Sequence, residues 1–193
     1  MKRYVMKYRE AAEDSLKGWE NQSLPVGNGY FGASVFGGAE KERVQFTTNE
    51  FANVYSLGGM TSFADLYIES ACGEVDCYER GLDLNRGEAY SSFVCEEGKI
   101  KRTAFCSYPD NVFLYGITSE REKNFTARVE IPYLGAREEK DGGRRGNVYA
   151  EGDSLVLRQY LPLRECIGEL RLSVLTDGKV SVTDKEIRVT DAK

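Results

Sequence analysis

The sequence contains no histidine. A Ser-His-Asp triad, a Cys-His dyad, an H-E-x-x-H zinc site and a histidine general base are therefore excluded from this chain. Any chemistry has to use carboxylates, Tyr, Lys or Cys, or to sit on another chain. The sequence also holds one tryptophan and only four prolines. No run approaches the roughly 18 apolar residues that a membrane helix needs, so no membrane span is expected. The N-terminus has the basic start of a signal peptide without its apolar core, because Lys7, Arg9 and Glu10 interrupt it. Positive charge is in deficit: 26 Lys and Arg face 31 Asp and Glu, for a net charge of −5. That balance argues against nucleic acid or an anionic membrane as a partner.

What is present is globular. The 193 residues are 41% hydrophobic and 30% charged, and a chain of this size buries roughly 70% of its unfolded surface. The five cysteines are an odd number. With no signal peptide, they read as reduced thiols in a cytoplasmic protein. Cys72 and Cys77 have four residues between them and no CxxC occurs. The cysteines are therefore expected as small apolar fillers, with no metal and no cofactor.

Beyond the first 20 residues the hydrophobic pattern has period two. Phe125, Ala127, Val129 and Ile131 alternate with polar neighbours, as do Leu170, Leu172 and Val174, and Ile187 and Val189. Such runs predict half-buried antiparallel strands. Further strands are expected over 30–37, 42–47, 65–71, 89–95, 99–106, 111–118 and 154–161, which are rich in Tyr, Phe, Val and Thr. Asp177-Gly178 predicts a hairpin between the apolar alternation before it and Lys179-Val180-Ser181-Val182, and Glu97-Gly98 is a similar signal. The charged, glycine-rich stretch from Arg137 to Gly146 reads as a solvated loop, its Arg144-Arg145 pair included. One helix is expected near Ala11 to Leu16, stopped by Gly18. The fold class is all-β, an antiparallel β-sandwich with little helix.

Gly27-Asn28-Gly29-Tyr30-Phe31-Gly32 fits G-x-G-x-x-G literally. A dinucleotide loop follows a strand and opens a helix whose N-terminus holds the pyrophosphate. Here Leu24-Pro25 precedes the glycines and the strand-like Ala33-Ser34-Val35-Phe36 follows them. A tight turn entering the first core strand is the better account.

The same residues resemble a known family. Trp19-Glu20 followed by Leu24-Pro25-Val26-Gly27-Asn28-Gly29-Tyr30-Phe31-Gly32-Ala33-Ser34-Val35-Phe36-Gly37-Gly38 is similar to the start of glycoside hydrolase family 95, the α-L-fucosidase family. Four further blocks keep the family's order: Glu42-Arg43-Val44-Gln45-Phe46 with Asn49-Glu50, Asp65-Leu66-Tyr67-Ile68, Tyr78-Glu79-Arg80-Gly81-Leu82-Asp83-Leu84, and Arg102 to Asp110. The sandwich domains of family 65 phosphorylases are a second resemblance.

The resemblance implies an N-terminal β-supersandwich of the galactose-mutarotase-like type. In that family a linker, a catalytic (α/α)6 barrel and a C-terminal β domain follow. It implies inverting hydrolysis of α-L-fucosides or related sugars by carboxylates of the barrel, which have no counterpart in this sequence. Residues 1–193 then read as a single non-catalytic N-terminal domain of a larger glycoside hydrolase, inactive alone and packed against the barrel. Its partners are that barrel and, through the parent enzyme, a carbohydrate.

Trp19, Asn28, Asn49, Glu50 and Tyr55 are the candidate substrate-binding residues, since sugar sites combine an aromatic platform with amides and carboxylates. The opposing reading makes the aromatics core or interface filler. Arg102 is expected either to pair with a buried Asp or to lie on a solvated surface, and the sequence leaves both open. A stand-alone carbohydrate-binding module is the alternative function.

Overall fold

The computed structural model describes residues 2–51, 62–96, 98–132, 145–161 and 165–193. Three antiparallel sheets hold most of them. The largest has seven strands, and its spatial order follows from pairing. β14 (Lys179–Val182) lies at one edge, then β15 (Ile187–Ala192), β10 (Lys123–Glu130), β5 (Ser62–Glu69), β4 (Lys41–Thr48), β3 (Phe31–Val35) and finally β2 (Leu24–Gly27). The second has five strands: β1 (Val5–Tyr8), β6 (Asp76–Asp83), β7 (Glu88–Cys95), β8 (Gly98–Ser107) and β9 (Val112–Ser119), in that spatial order. The third is the meander of β11 (Arg145–Glu151), β12 (Ser154–Leu161) and β13 (Cys166–Ser173).

Period two decides which side chains go inside. Val44, Phe46, Leu66, Ile68, Phe125, Ala127, Val129, Ile187 and Val189 are buried on one face of the seven-stranded sheet. Leu82, Ala89 and Ala104 of the five-stranded sheet join the same core, and so do Leu155, Leu157 and Leu161 of β12. The second layer of the sandwich is thus split between two sheets that share one partner. An antiparallel β-sandwich is what the alternation predicted.

Several local expectations are corrected. The helix α1 runs Leu16–Asn21 rather than Ala11 to Leu16. Ser15 is its N-cap: the Ser15 hydroxyl oxygen accepts from the Gly18 N–H at 3.1 Å. Gly18 does not stop the helix but sits buried within it, because a Cβ there would lie 1.9 Å from the Glu13 carbonyl oxygen. The Asp177-Gly178 hairpin is the second. β13 and β14 belong to different sheets, so residues 174–178 carry the chain from one sheet to another. The hairpin forms one turn later, where Val182 pairs with Ile187 and the Thr183 hydroxyl accepts from the Lys185 and Glu186 amides. Gly178 is needed for space: a Cβ would lie 2.4 Å from the Thr190 carbonyl oxygen.

The glycine-rich segment is a hairpin turn. Gly27 pairs with Gly32, Gly29 adopts φ +93°, and no helix follows. Pro25 lies in β2, an edge strand, where its missing N–H costs no ladder bond. Cys95 and Gly98 pair as β7 turns into β8, with Gly98 at φ +112°; Glu97 lies outside the described residues, as do 137–144 of the charged stretch. Arg145 and Gly146 are already in β11, so the strand starts earlier than the loop reading expected.

Buried charges tie the layers together at the β3–β4 turn. Glu42 is fully buried. One of its carboxylate oxygens accepts from the Gly37 amide at 2.7 Å and the Arg43 amide at 3.1 Å. The other accepts from the Tyr115 hydroxyl of β9 at 2.7 Å and lies 3.9 Å from Arg102. Arg102 is itself buried and donates to the Gly38 and Ala39 carbonyls at 2.6 and 2.7 Å. Its carboxylate neighbour is thus a glutamate, not an aspartate. Asp83 pairs with Arg3 instead, and Asp110 accepts from the Ser107 hydroxyl. Arg80, also buried, donates to the Glu10 and Gln22 carbonyls and stacks over Tyr8.

Candidate functional site

Three turns meet at one end of the sandwich. They are the β2–β3 turn, the 3-10 turn Asn49–Phe51 after β4, and the β8–β9 turn. The first two belong to the seven-stranded sheet and the third to the five-stranded sheet, so this end is built from both layers.

Asn28 joins them. Its side-chain oxygen accepts from the Tyr30 and Phe31 amides at 3.0 and 3.1 Å, which shapes its own turn. Its side-chain nitrogen donates to the Ser107 carbonyl at 2.9 Å and to the Asn111 side-chain oxygen at 3.0 Å, across to the other sheet. Asn49 adds a second fastening. Its side chain donates to the Gly29 carbonyl at 2.7 Å and its amide to the Tyr30 carbonyl. Both asparagines hold turns through their side chains.

That fastening presents two tyrosines. Tyr30 and Tyr108 stack with ring centroids 5.8 Å apart and planes 21° from parallel, and both are more than half exposed. Beside them opens a cleft of about 630 Å³. Tyr30, Glu50 and Asn111 border it, Phe46, Phe63 and Leu66 line it from the seven-stranded sheet, and β13 lines it from Ile167 to Ser173. The Glu50 amide is held by the Thr48 hydroxyl at 3.3 Å. Exposed aromatic faces next to a carboxylate and an amide suit a ligand with both apolar faces and hydroxyls.

The structure therefore brings Asn28, Asn49 and Glu50 to one end. Trp19 lies elsewhere: it sits in α1, which precedes β2, whereas the Asn28 turn follows β2. Tyr55 lies outside the described residues. Sequence reasoning missed Tyr108 and Asn111. Their signal was the Tyr108-Pro109-Asp110 turn ahead of a period-two strand. Asn111 adopts φ +52°, a conformation that Asn tolerates better than most residues.

The cysteines are dispersed. Cys72 and Cys95 are buried, Cys106 and Cys166 half-buried and Cys77 exposed. Burial pushes the Cys106 thiol up to about 11. Among the described residues no group of three or more Cys, Asp or Glu is placed to hold a metal ion. None of their helices is long and apolar enough to cross a membrane.

Comparison with known proteins adds two findings. The model of the family described as glycosyl hydrolase family 65, N-terminal domain, matches residues 6–52 and 47–193. A protein named probable alpha-fucosidase A, from Aspergillus niger, is 25% identical over 207 residues, covering 84% of this chain. The chain spans about a quarter of the length of that relative.

Proposed function

This chain belongs to the glycosyl hydrolase family 65 N-terminal domain family, and from that premise we propose that it is the non-catalytic N-terminal sandwich of a larger hydrolase. The parent would be a cytoplasmic enzyme of family-95 type acting on α-L-fucosides or related sugars. The sandwich would pack against the catalytic barrel and lend it one wall of the sugar pocket. The observation that carries this reading is the match to the fucosidase relative. It covers most of this chain but only a quarter of that protein, which leaves ample length for catalytic groups elsewhere.

The wall would be the end where Asn28, Asn49, Glu50, Tyr30 and Tyr108 gather. Trp19, at the other end of β2, then serves the barrel interface, and Tyr55 follows Glu50 closely in sequence. A stand-alone carbohydrate-binding module is the second reading, favoured by the exposed Tyr30–Tyr108 pair.

Tyr108→Ala in the parent enzyme tests the wall. An aromatic contact of about 0.5–1.5 kcal/mol corresponds to a KM raised about two- to tenfold, with kcat retained. Tyr108 is 65% exposed, so its loss leaves the fold intact. An unchanged KM rejects the wall. Saturable glycan binding by the 193-residue chain alone, lost in Tyr108→Ala, selects the module.

A further inference from the structure

Of the five cysteines, two meet. Cys72 lies in the connection 70–75, which carries the chain from β5 of the seven-stranded sheet to β6 of the five-stranded sheet. Cys95 is the last residue of β7, and alternation turns it inward with Ala89, Ser91 and Phe93. Both are buried, and they pack with Phe93 and Ile100 in a small core of their own. Cys106 and Cys166 pack on the main core instead, and Cys77 is exposed.

Three polar groups converge on the Cys95 sulfur. Its thiol donates to the Gly98 carbonyl at 3.4 Å. The Lys123 ammonium, at the start of β10, donates to the sulfur at 3.6 Å and to the Ala71 carbonyl at 2.7 Å. One lysine thus holds the backbone beside Cys72 and the sulfur of Cys95. The third group is the Cys72 thiol, which is hydrogen-bonded to Cys95. Burial, together with that neighbouring sulfur, pushes the Cys72 thiol up to about 11. It therefore keeps its proton near neutral pH. Thiols that only fill space need no ammonium set against them. An ammonium beside a sulfur favours the negative charge that a nucleophilic thiolate carries.

We propose that Cys72 and Cys95 form a redox pair, closed to a disulfide by hydrogen peroxide and reopened by a dithiol. Cys95 attacks one peroxide oxygen, and the O–O bond breaks. The other oxygen leaves as water with the Cys95 thiol proton, and Cys95 becomes a sulfenic acid. The Cys72 sulfur then attacks the Cys95 sulfur. The S–O bond breaks, and hydroxide leaves as water with the Cys72 proton. The two thiols lose two electrons, and one peroxide becomes two waters. A dithiol reverses the bond by exchange and is itself oxidised to a disulfide. Cys72 lies outside the strands, so its loop can close on the fixed end of β7. The bond would fasten the crossover between the sheets to β7.

Peptide mapping of the 193-residue chain after hydrogen peroxide tests this. Trypsin leaves Cys72 and Cys77 together in residues 44–80 and Cys95 in residues 87–99. Cys77→Ser is therefore the background, and it makes the assignment unique. The expected product joins the two peptides within one chain and is two hydrogens lighter than their sum. Dithiothreitol should separate them. The oxidised chain should melt about 5–10 °C higher than the reduced one, since the bond restricts the unfolded chain. Adding Cys72→Ser should stop the reaction at a Cys95 sulfenic acid that dimedone traps. Peroxide that leaves both thiols free to alkylate, or oxidises Cys106 or Cys166 in preference, overturns the proposal. So does a Cys95 peptide joined to Lys123 through one oxygen, or pairing scattered over all the cysteines as in a urea-unfolded control.

Discussion

Glu42→Ala is expected to lower the unfolding free energy by about 3–5 kcal/mol, because it removes one partner of a buried charge pair. Arg102 would stay buried with carbonyls alone for company, and the Gly37 amide and Tyr115 hydroxyl would lose their acceptor. In a chain of this size each kcal/mol shifts the melting temperature by about 2–4 °C. Urea unfolding and thermal melts would both read the loss. Glu42→Gln should cost far less, since an amide oxygen can still accept from Gly37 and Arg43. Burial outweighs the Arg102 charge and the three hydrogen bonds, and raises the Glu42 carboxyl above its ordinary 4.5. A raised acid holds its proton more tightly in the folded state, so its contribution to stability falls as pH rises from 4.5 through the raised value. Relative to Glu42→Gln, the wild-type protein should therefore lose stability across that window. A Glu42→Ala melt within 1 °C of wild type would show that the network carries no strength.

Gly37→Ala is the second large effect, expected at about 2–5 kcal/mol. Gly37 has φ +83°, which costs an alanine about 1–2 kcal/mol. Its Cβ would also lie 2.6 Å from the Tyr78 hydroxyl and 2.7 Å from the Arg80 side chain. Arg80 is fixed by two carbonyls, and Tyr78 donates to the Gly37 carbonyl at 2.5 Å, so neither yields freely. Overpacking of that kind adds about 1–3 kcal/mol. Gly29→Ala is the internal control. Its φ is +93°, yet nothing lies within 4 Å of a built Cβ. Only the backbone cost of about 1–2 kcal/mol should appear there. Equal losses at the two glycines would mean that the contacts around Gly37 contribute nothing.

Strands were legible because burial on one face writes period two directly into the sequence. The run 154–161 coincides with β12, and 99–106 and 111–118 fall within a residue of β8 and β9 at each end. Assignment to sheets was not legible. Asp177-Gly178 carries hairpin chemistry, but Val182, Ile187 and the Thr183 turn offered β14 a closer partner. The short strands β1 and β2 carry too few residues for a period to show. Helix α1 moved because a serine cap outweighed a glycine read as a stop.

The candidate end was legible only in part. Asn28, Asn49 and Glu50 all lie on turns of the seven-stranded sheet, but Tyr108 reaches Tyr30 from the other sheet. The buried network was invisible for the same reason: Glu42 and Tyr115 are 73 positions apart, and Arg80 and Gln22 are 58. Nothing local announces such pairs, although Gly37-Gly38 marks the turn they clasp.

Hydrolysis of an aryl α-L-fucoside by the 193-residue chain, beside the longer protein that contains it, bears most directly on the proposed role. A domain that only packs and walls predicts a rate equal to buffer for the chain alone and turnover by the longer protein. Turnover by the chain alone, abolished by substitution of one of its own carboxylates, would contradict it.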